Sequence, residues 1–152
     1  MVATSVSVEQ VYEWLADVPD PEIPVLSILD LGIVRDVTVA NSVTVTLTPT
    51  YSGCPATEAI EASVVTALEK QGVEVAIKRV LSPPWTSDWI SDAGRRKLLQ
   101  YGIAPPQESG SIACPQCGSP QTERISEFGS TACKASWRCC DCLEPFEYFK
   151  CL

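Results

Sequence analysis

The sequence predicts an α+β fold: a small two-layer α/β domain followed by a zinc-ribbon-like module. Three observations carry this. Apolar residues recur at helical spacing in three separate stretches. β-branched runs stand between those stretches, in the order helix, hairpin, helix, strand, helix. Beyond a Pro, Gly and Ser-rich segment, two C-x2-C pairs follow within about 40 residues.

The first helix is expected in "SVEQVYEWLADV". Ser7 and Gln10 stand at capping-box spacing, and Val8, Val11, Leu15 and Val18 share one face. Pro19, Pro21 and Pro24 forbid a regular helix in "PDPEIPVLSILDLGIV", so a structured loop follows. "VRDVTVA" and "VTVTLT" read as a hairpin turning at Asn41 and Ser42, with Val43, Val45 and Leu47 on one face. A second helix is expected from about Pro55 to Gln71, with Ala59, Ala62, Val65 and Leu68 buried and Gly72 as its stop. "VEVAIKRV" is a third strand, which strand–helix–strand order places parallel to its neighbour. "PPWTSDW" is an irregular aromatic loop, in which Trp85 and Trp89 suit either a core or a partner surface. "SDAGRRKLLQY" is a third helix, ending at Gly102. The boundaries expected are 1–103 for the α/β domain, 104–111 for the linker and 112–152 for the metal-binding module.

Composition restricts function. The formal net charge of −8 opposes nucleic acid and anionic membranes as partners. No run approaches the ~18 apolar residues of a membrane helix, and "MVATSVSVEQ" has no signal-peptide pattern. A cytoplasmic location is therefore expected, where eight cysteines point to metal or redox chemistry rather than disulfides. With no histidine, Ser-His-Asp triads, Cys-His dyads and His-ligated zinc are excluded.

Cys114 and Cys117 form one C-x2-C knuckle, Cys139 and Cys142 the other. Four thiolates suit tetrahedral Zn²⁺ or an iron–sulfur cluster. A module this small needs such a staple. Cys133 falls on the same strand face as Cys139, so it either approaches the metal or fills the core. Cys151 sits at the chain end, and Cys140 points away from the metal. Cys54 directly precedes Pro55 and is expected to be the N-cap of the second helix. There its sulfur would face unpaired N–H groups that favour a thiolate, for nucleophilic or metal-binding work. Asp20 and Glu22 in "DPEIP" suit turn chemistry or an acid pair beside Cys54.

The segments "DPEIPVLSILDLGIVRDV", "TPTYSGCPATEAI", "PPWTSDWIS", "YGIAPP", "CPQCGS", "SEFGSTACKASWRC" and "CLEPFEYFKCL" together resemble the PaaD (PaaJ) family. Those proteins are accessory to the bacterial phenylacetyl-CoA epoxidase, a multicomponent di-iron monooxygenase. The N-terminal part is similar to the SufT-like iron–sulfur assembly domain family, through "DPE" and the Cys54 loop. The resemblance implies maturation in aerobic phenylacetate degradation, namely assembly of an iron–sulfur or di-iron centre, with no catalysis of its own. It implies that Cys54 holds iron or a cluster transiently, and that Cys114, Cys117, Cys139 and Cys142 are the metal ligands. Cys133 and Cys151 fall in stretches typical of the family, as additional ligand candidates, whereas Cys140 departs from its pattern. Expected partners are the oxygenase or reductase components, and a second copy of the chain. Two alternatives stay open: a structural subunit bridging oxygenase components with the metal only as a staple, and a thiol enzyme using Cys54.

Overall fold

A computed structural model describes residues 5–51, 53–107 and 110–151. Ser52 of the Cys54 loop and residues 108–109 of the expected linker lie outside the described residues. The chain divides into two compact units, Met1–Trp85 and Thr86–Leu152.

In the first unit, α1 (Val8–Leu15) starts at a capping box. Ser7 Oγ accepts from Gln10 N, and Gln10 Oε1 accepts from Ser7 N. Val11 and Leu15 are fully buried. The proline loop is fixed by its own carboxylates. Asp20 Oδ1 accepts from the backbone N–H of Glu22 and Ile23 at 2.9 and 2.8 Å. Asp30 and Ser27 cap each other, Ser27 N donating to Asp30 Oδ2 and Asp30 N to Ser27 Oγ. β1 (Val34–Val39) and β2 (Val43–Leu47) pair antiparallel, and β3 (Val75–Arg79) joins β2 in parallel, giving the order β1-β2-β3. Val37, Val43, Val45 and Leu47 are buried, while Thr44 and Thr46 on the other face are half-buried.

Two expectations on α2 are corrected. The helix spans Thr57–Glu69 with Ala56 as N-cap, so Cys54 is not the capping residue. Pro55 and Ala56 form a turn instead, closed by Thr57 N donating to Cys54 O at 3.2 Å. The buried face is Thr57, Ile60, Val64 and Leu68, while Ala59 and Ala62 are exposed. Burying the branched Ile60 and Val64 removes more apolar area from water than burying two alanines, which sets the helix rotation. Trp85 is core: it is 4% exposed, and its Nε1 donates to Leu31 O at 2.7 Å, tying down the proline loop. Trp85→Ala is expected to cost about 3–5 kcal/mol, read as a lower urea midpoint for the unfolding of this unit.

The second unit begins with a single 3₁₀ turn, Ser87–Trp89, and α3 (Asp92–Gln100), capped by Ser91 Oγ accepting from Gly94 N. Its sheet holds β4 (Ile103–Ala104), β5 (Thr122–Ser126), β6 (Lys134–Cys139) and β7 (Pro145–Phe149), in the order β4-β7-β6-β5. β5 and β6 form an antiparallel hairpin between the two cysteine pairs. β7 runs antiparallel to β6 and parallel to β4. The loop before β6 is anchored on the Glu147 carboxylate, which accepts from Ser130 N at 2.7 Å and meets Lys134 Nζ at 3.4 Å. Desolvation opposes the Glu147 charge, but Ser130 and Lys134 outweigh it and hold the carboxyl below its ordinary range. The ribbon core is small: Ala104, Ile112, Cys114, Ala135, Cys139, Phe146 and Tyr148, with Trp137 edge-on to Tyr148. Among the described residues no helix is long and apolar enough to cross a membrane.

Candidate functional site

The two knuckles are built alike. In the first, Cys114 N donates to Ser119 O at 2.9 Å, and Gly118 takes φ +76°. In the second, Cys139 N donates to Glu144 O at 3.0 Å, and Leu143 takes φ +65°. The positive φ four residues after the first cysteine has a purpose. It turns the next N–H onto the second sulfur, Ser119 N onto Cys117 and Glu144 N onto Cys142. Gln116 N and Cys142 N serve the first sulfurs, Cys114 and Cys139, each at 3.4 Å. Glycine adopts this φ freely. For a leucine it costs roughly 1–2 kcal/mol. Ser119 Oγ donates to Asp141 Oδ2 and latches one knuckle to the other, while Cys140 N donates to Gln121 O at 2.7 Å.

The sulfurs of Cys114, Cys117, Cys139 and Cys142 all lie within 4.8 Å of one another. Cys114 and Cys142 stand 3.7 Å apart, Cys117 and Cys139 3.6 Å. Tetrahedral ligands at about 2.3 Å from one ion stand ~3.8 Å apart, so the donor set fits a single metal. Cys114 and Cys139 are buried in the ribbon core, whereas Cys117 and Cys142 are exposed. Four thiols this close cannot all ionise without a cation. The Cys142 N–H, followed by that of Asp141, brings Cys139 down to about 7. For Cys142, the Glu144 N–H favours the thiolate, but desolvation and the other three thiols push it up to about 12. The Ser119 N–H likewise favours the Cys117 thiolate and is outweighed, chiefly by Cys139. Because the thiolate is the ligand, protonation slows metal capture. Cobalt(II) loading of the metal-free chain is therefore expected to accelerate as pH rises through about 7. Stopped-flow absorbance would read this, and a rate independent of pH across that value would contradict it.

The remaining cysteines are elsewhere. Cys133 is buried, with Thr131 Oγ1 at 3.0 Å from its sulfur. Cys151 donates to Gln107 O at 2.9 Å beside the Tyr148 hydroxyl. Neither belongs to the converging group. Cys140 is exposed.

Cys54 lines a separate cavity of about 640 Å³ in the first unit, with Thr57, Glu58, Arg79 and Leu81. Ile33, Leu47 and Ile60 line a small apolar pocket that Cys54 and Thr57 also line. Gly53 precedes Cys54 at φ +77°, and Thr50 Oγ1 lies 4.0 Å from the Cys54 sulfur. Arg79 is fixed on the cavity wall by two bonds to Glu61, at 2.8 and 2.9 Å, which raise the guanidinium above its ordinary value. Asp20 and Glu22 do not line this cavity. The sequence reading missed Arg79 and Leu81. The signal was present: Cys54 follows β2, Arg79 ends β3, and these parallel strands bring their C-terminal ends together, where α/β folds place ligand sites.

Residues 8–81 match the family described as iron–sulfur cluster assembly protein, and residues 101–150 match the PaaD zinc beta ribbon domain. An Escherichia coli (strain K12) protein, named provisionally as one of the subunits of 1,2-phenylacetyl-CoA epoxidase, is 46% identical over 95% of this chain and 93% of its own length. The chain belongs to the PaaD family. A Porphyromonas gingivalis (strain ATCC BAA-308 / W83) Fe-S protein maturation auxiliary factor is 37% identical over 59% of this chain and 89% of its own. Among solved structures, a domain of unknown function, DUF59, from Bacillus anthracis is 32% identical with a TM-score of 0.56, covering 59% of this chain and 89% of that one. A conserved hypothetical protein from Thermotoga maritima is 33% identical with a TM-score of 0.54, covering 62% and 95%. This PaaD-family chain thus joins an iron–sulfur-assembly-type α/β domain to a four-cysteine zinc ribbon, whose donor set suits zinc or an iron–sulfur centre.

Proposed function

We propose that the chain is a maturation factor of the phenylacetyl-CoA epoxidase, bringing iron or an iron–sulfur unit to the oxygenase system. Iron is the cargo, held at Cys54. The ribbon metal is resident, held by Cys114, Cys117, Cys139 and Cys142. The observation that carries this is the open cavity at Cys54. It lies in the domain that matches iron–sulfur assembly proteins, and none of the four ribbon cysteines lines it. Cys54 offers a soft thiolate donor and Glu58 a hard carboxylate, a mixed set that iron accepts. Arg79, held by Glu61, lines the same cavity and gives it a fixed polar wall. Among the described residues no general base is hydrogen-bonded to the Cys54 sulfur, which suits a metal-holding thiol better than an activated nucleophile.

The close spacing of the ribbon sulfurs favours one ion over a cluster, because a cluster distributes its thiolates over separate irons. Metal and acid-labile sulfide in anaerobically purified protein test the division of labour. We expect one ribbon ion per chain in both wild type and Cys54→Ser, with additional iron lost in Cys54→Ser. Zinc alone in both proteins would favour a bridging subunit whose metal is only a staple.

A further inference from the structure

The second knuckle ends in a run of exposed residues, Cys140 to Pro145, with Leu143 at its centre. Leu143 is 68% exposed, and it is the non-glycine residue with positive φ among those described. The first knuckle meets the same backbone demand with Gly118. The metal site dictates this conformation, since the residue after it must aim its N–H at the second sulfur. A leucine here adopts an unfavourable left-handed backbone and also leaves an apolar side chain in water. Strain of this kind is retained where a side chain is used. Asp141 and Glu144 flank it, both exposed, and four thiolates holding one divalent ion would carry net negative charge beside it.

We propose that Leu143 is a docking knob, which inserts into an apolar pocket with a cationic rim on a partner protein. The acidic flank selects the rim, and the leucine supplies the buried anchor. Resting on the maturation reading above, the partner is a component of the epoxidase.

The test compares wild type, Leu143→Gly and Leu99→Ala, all metal-loaded full chains, for binding to the purified epoxidase components. Leu99 is another exposed leucine, on α3. Leu143→Gly is expected to keep its ribbon metal and its thermal midpoint, because glycine adopts the required φ without strain. It should lose about tenfold or more in affinity. Leu99→Ala should bind as wild type does, and salt should weaken wild-type binding. Unchanged affinity in Leu143→Gly, or loss of its ribbon metal, overturns the knob and leaves the maturation role standing. A wild-type chain that binds no epoxidase component removes the partner, and this occupant with it. A wild-type dimer that Leu143→Gly converts to monomer assigns the knob to a second copy and overturns the partner occupant.

Discussion

Removing the ribbon metal will unfold the module from about Ile112 onward and leave the Met1–Trp85 unit folded. The module's main apolar cluster is small, and two of its buried members, Cys114 and Cys139, are themselves in the converging thiol set. A segment of about 40 residues cannot hold itself by such a core. Structural zinc supplies an apparent ~10–16 kcal/mol in small zinc modules, more than the core can replace. Cys139→Ser should therefore act as chelation does, with metal lost and amide exchange in β5, β6 and β7 brought to unfolded rates. Cys140→Ser should keep the metal, since Cys140 lies outside the converging group. Hydrogen-exchange mass spectrometry with metal analysis reads both. A chelated ribbon that stays protected, or metal loss in Cys140→Ser, would show that the thiols have been paired wrongly.

Cys54→Ser is expected to fold, keep its ribbon metal and bind its partners, yet leave the oxygenase deficient in iron-dependent turnover. The substitution is nearly isosteric. Cys54 is half-buried, its sulfur lies 4.0 Å from Thr50 Oγ1, a weak contact that a hydroxyl can replace, and it does not cap α2. Folding has little to lose, while the soft donor disappears. Reconstitution with the mutant should give turnover near that of a system lacking the chain. Turnover at the wild-type level would remove Cys54 from the mechanism.

Where the physics is local, the sequence was sufficient. The Ser7–Gln10 capping box, the β1–β2 turn and the two C-x2-C knuckles are each settled within a few residues. Two misreadings came from competition that a local pattern does not resolve. A proline suits the first helical position, but Pro55 and Ala56 closed a turn through Cys54 O before the helix began. The alanine stripe on α2 has helical spacing, but Ile60 and Val64 lie on an overlapping face and have more area to bury. The strands β4 and β7 were not read at all. Ile103–Ala104 is two residues long, and its partner lies more than 40 positions away. Contact between Arg79 and Glu61 likewise joins positions 18 apart, so the cavity wall could not be assembled from pattern alone. Leu143 gave no signal, because a leucine after a cysteine pair does not announce a left-handed backbone.

The most direct test of the maturation role is the iron occupancy of the oxygenase component, produced with and without this chain under identical iron supply. The expected result is an oxygenase that folds and assembles in both cases but is iron-poor without the chain, and that gains iron and turnover when the purified, iron-loaded wild-type chain is added. An oxygenase with full iron and full turnover in the chain's absence would contradict it.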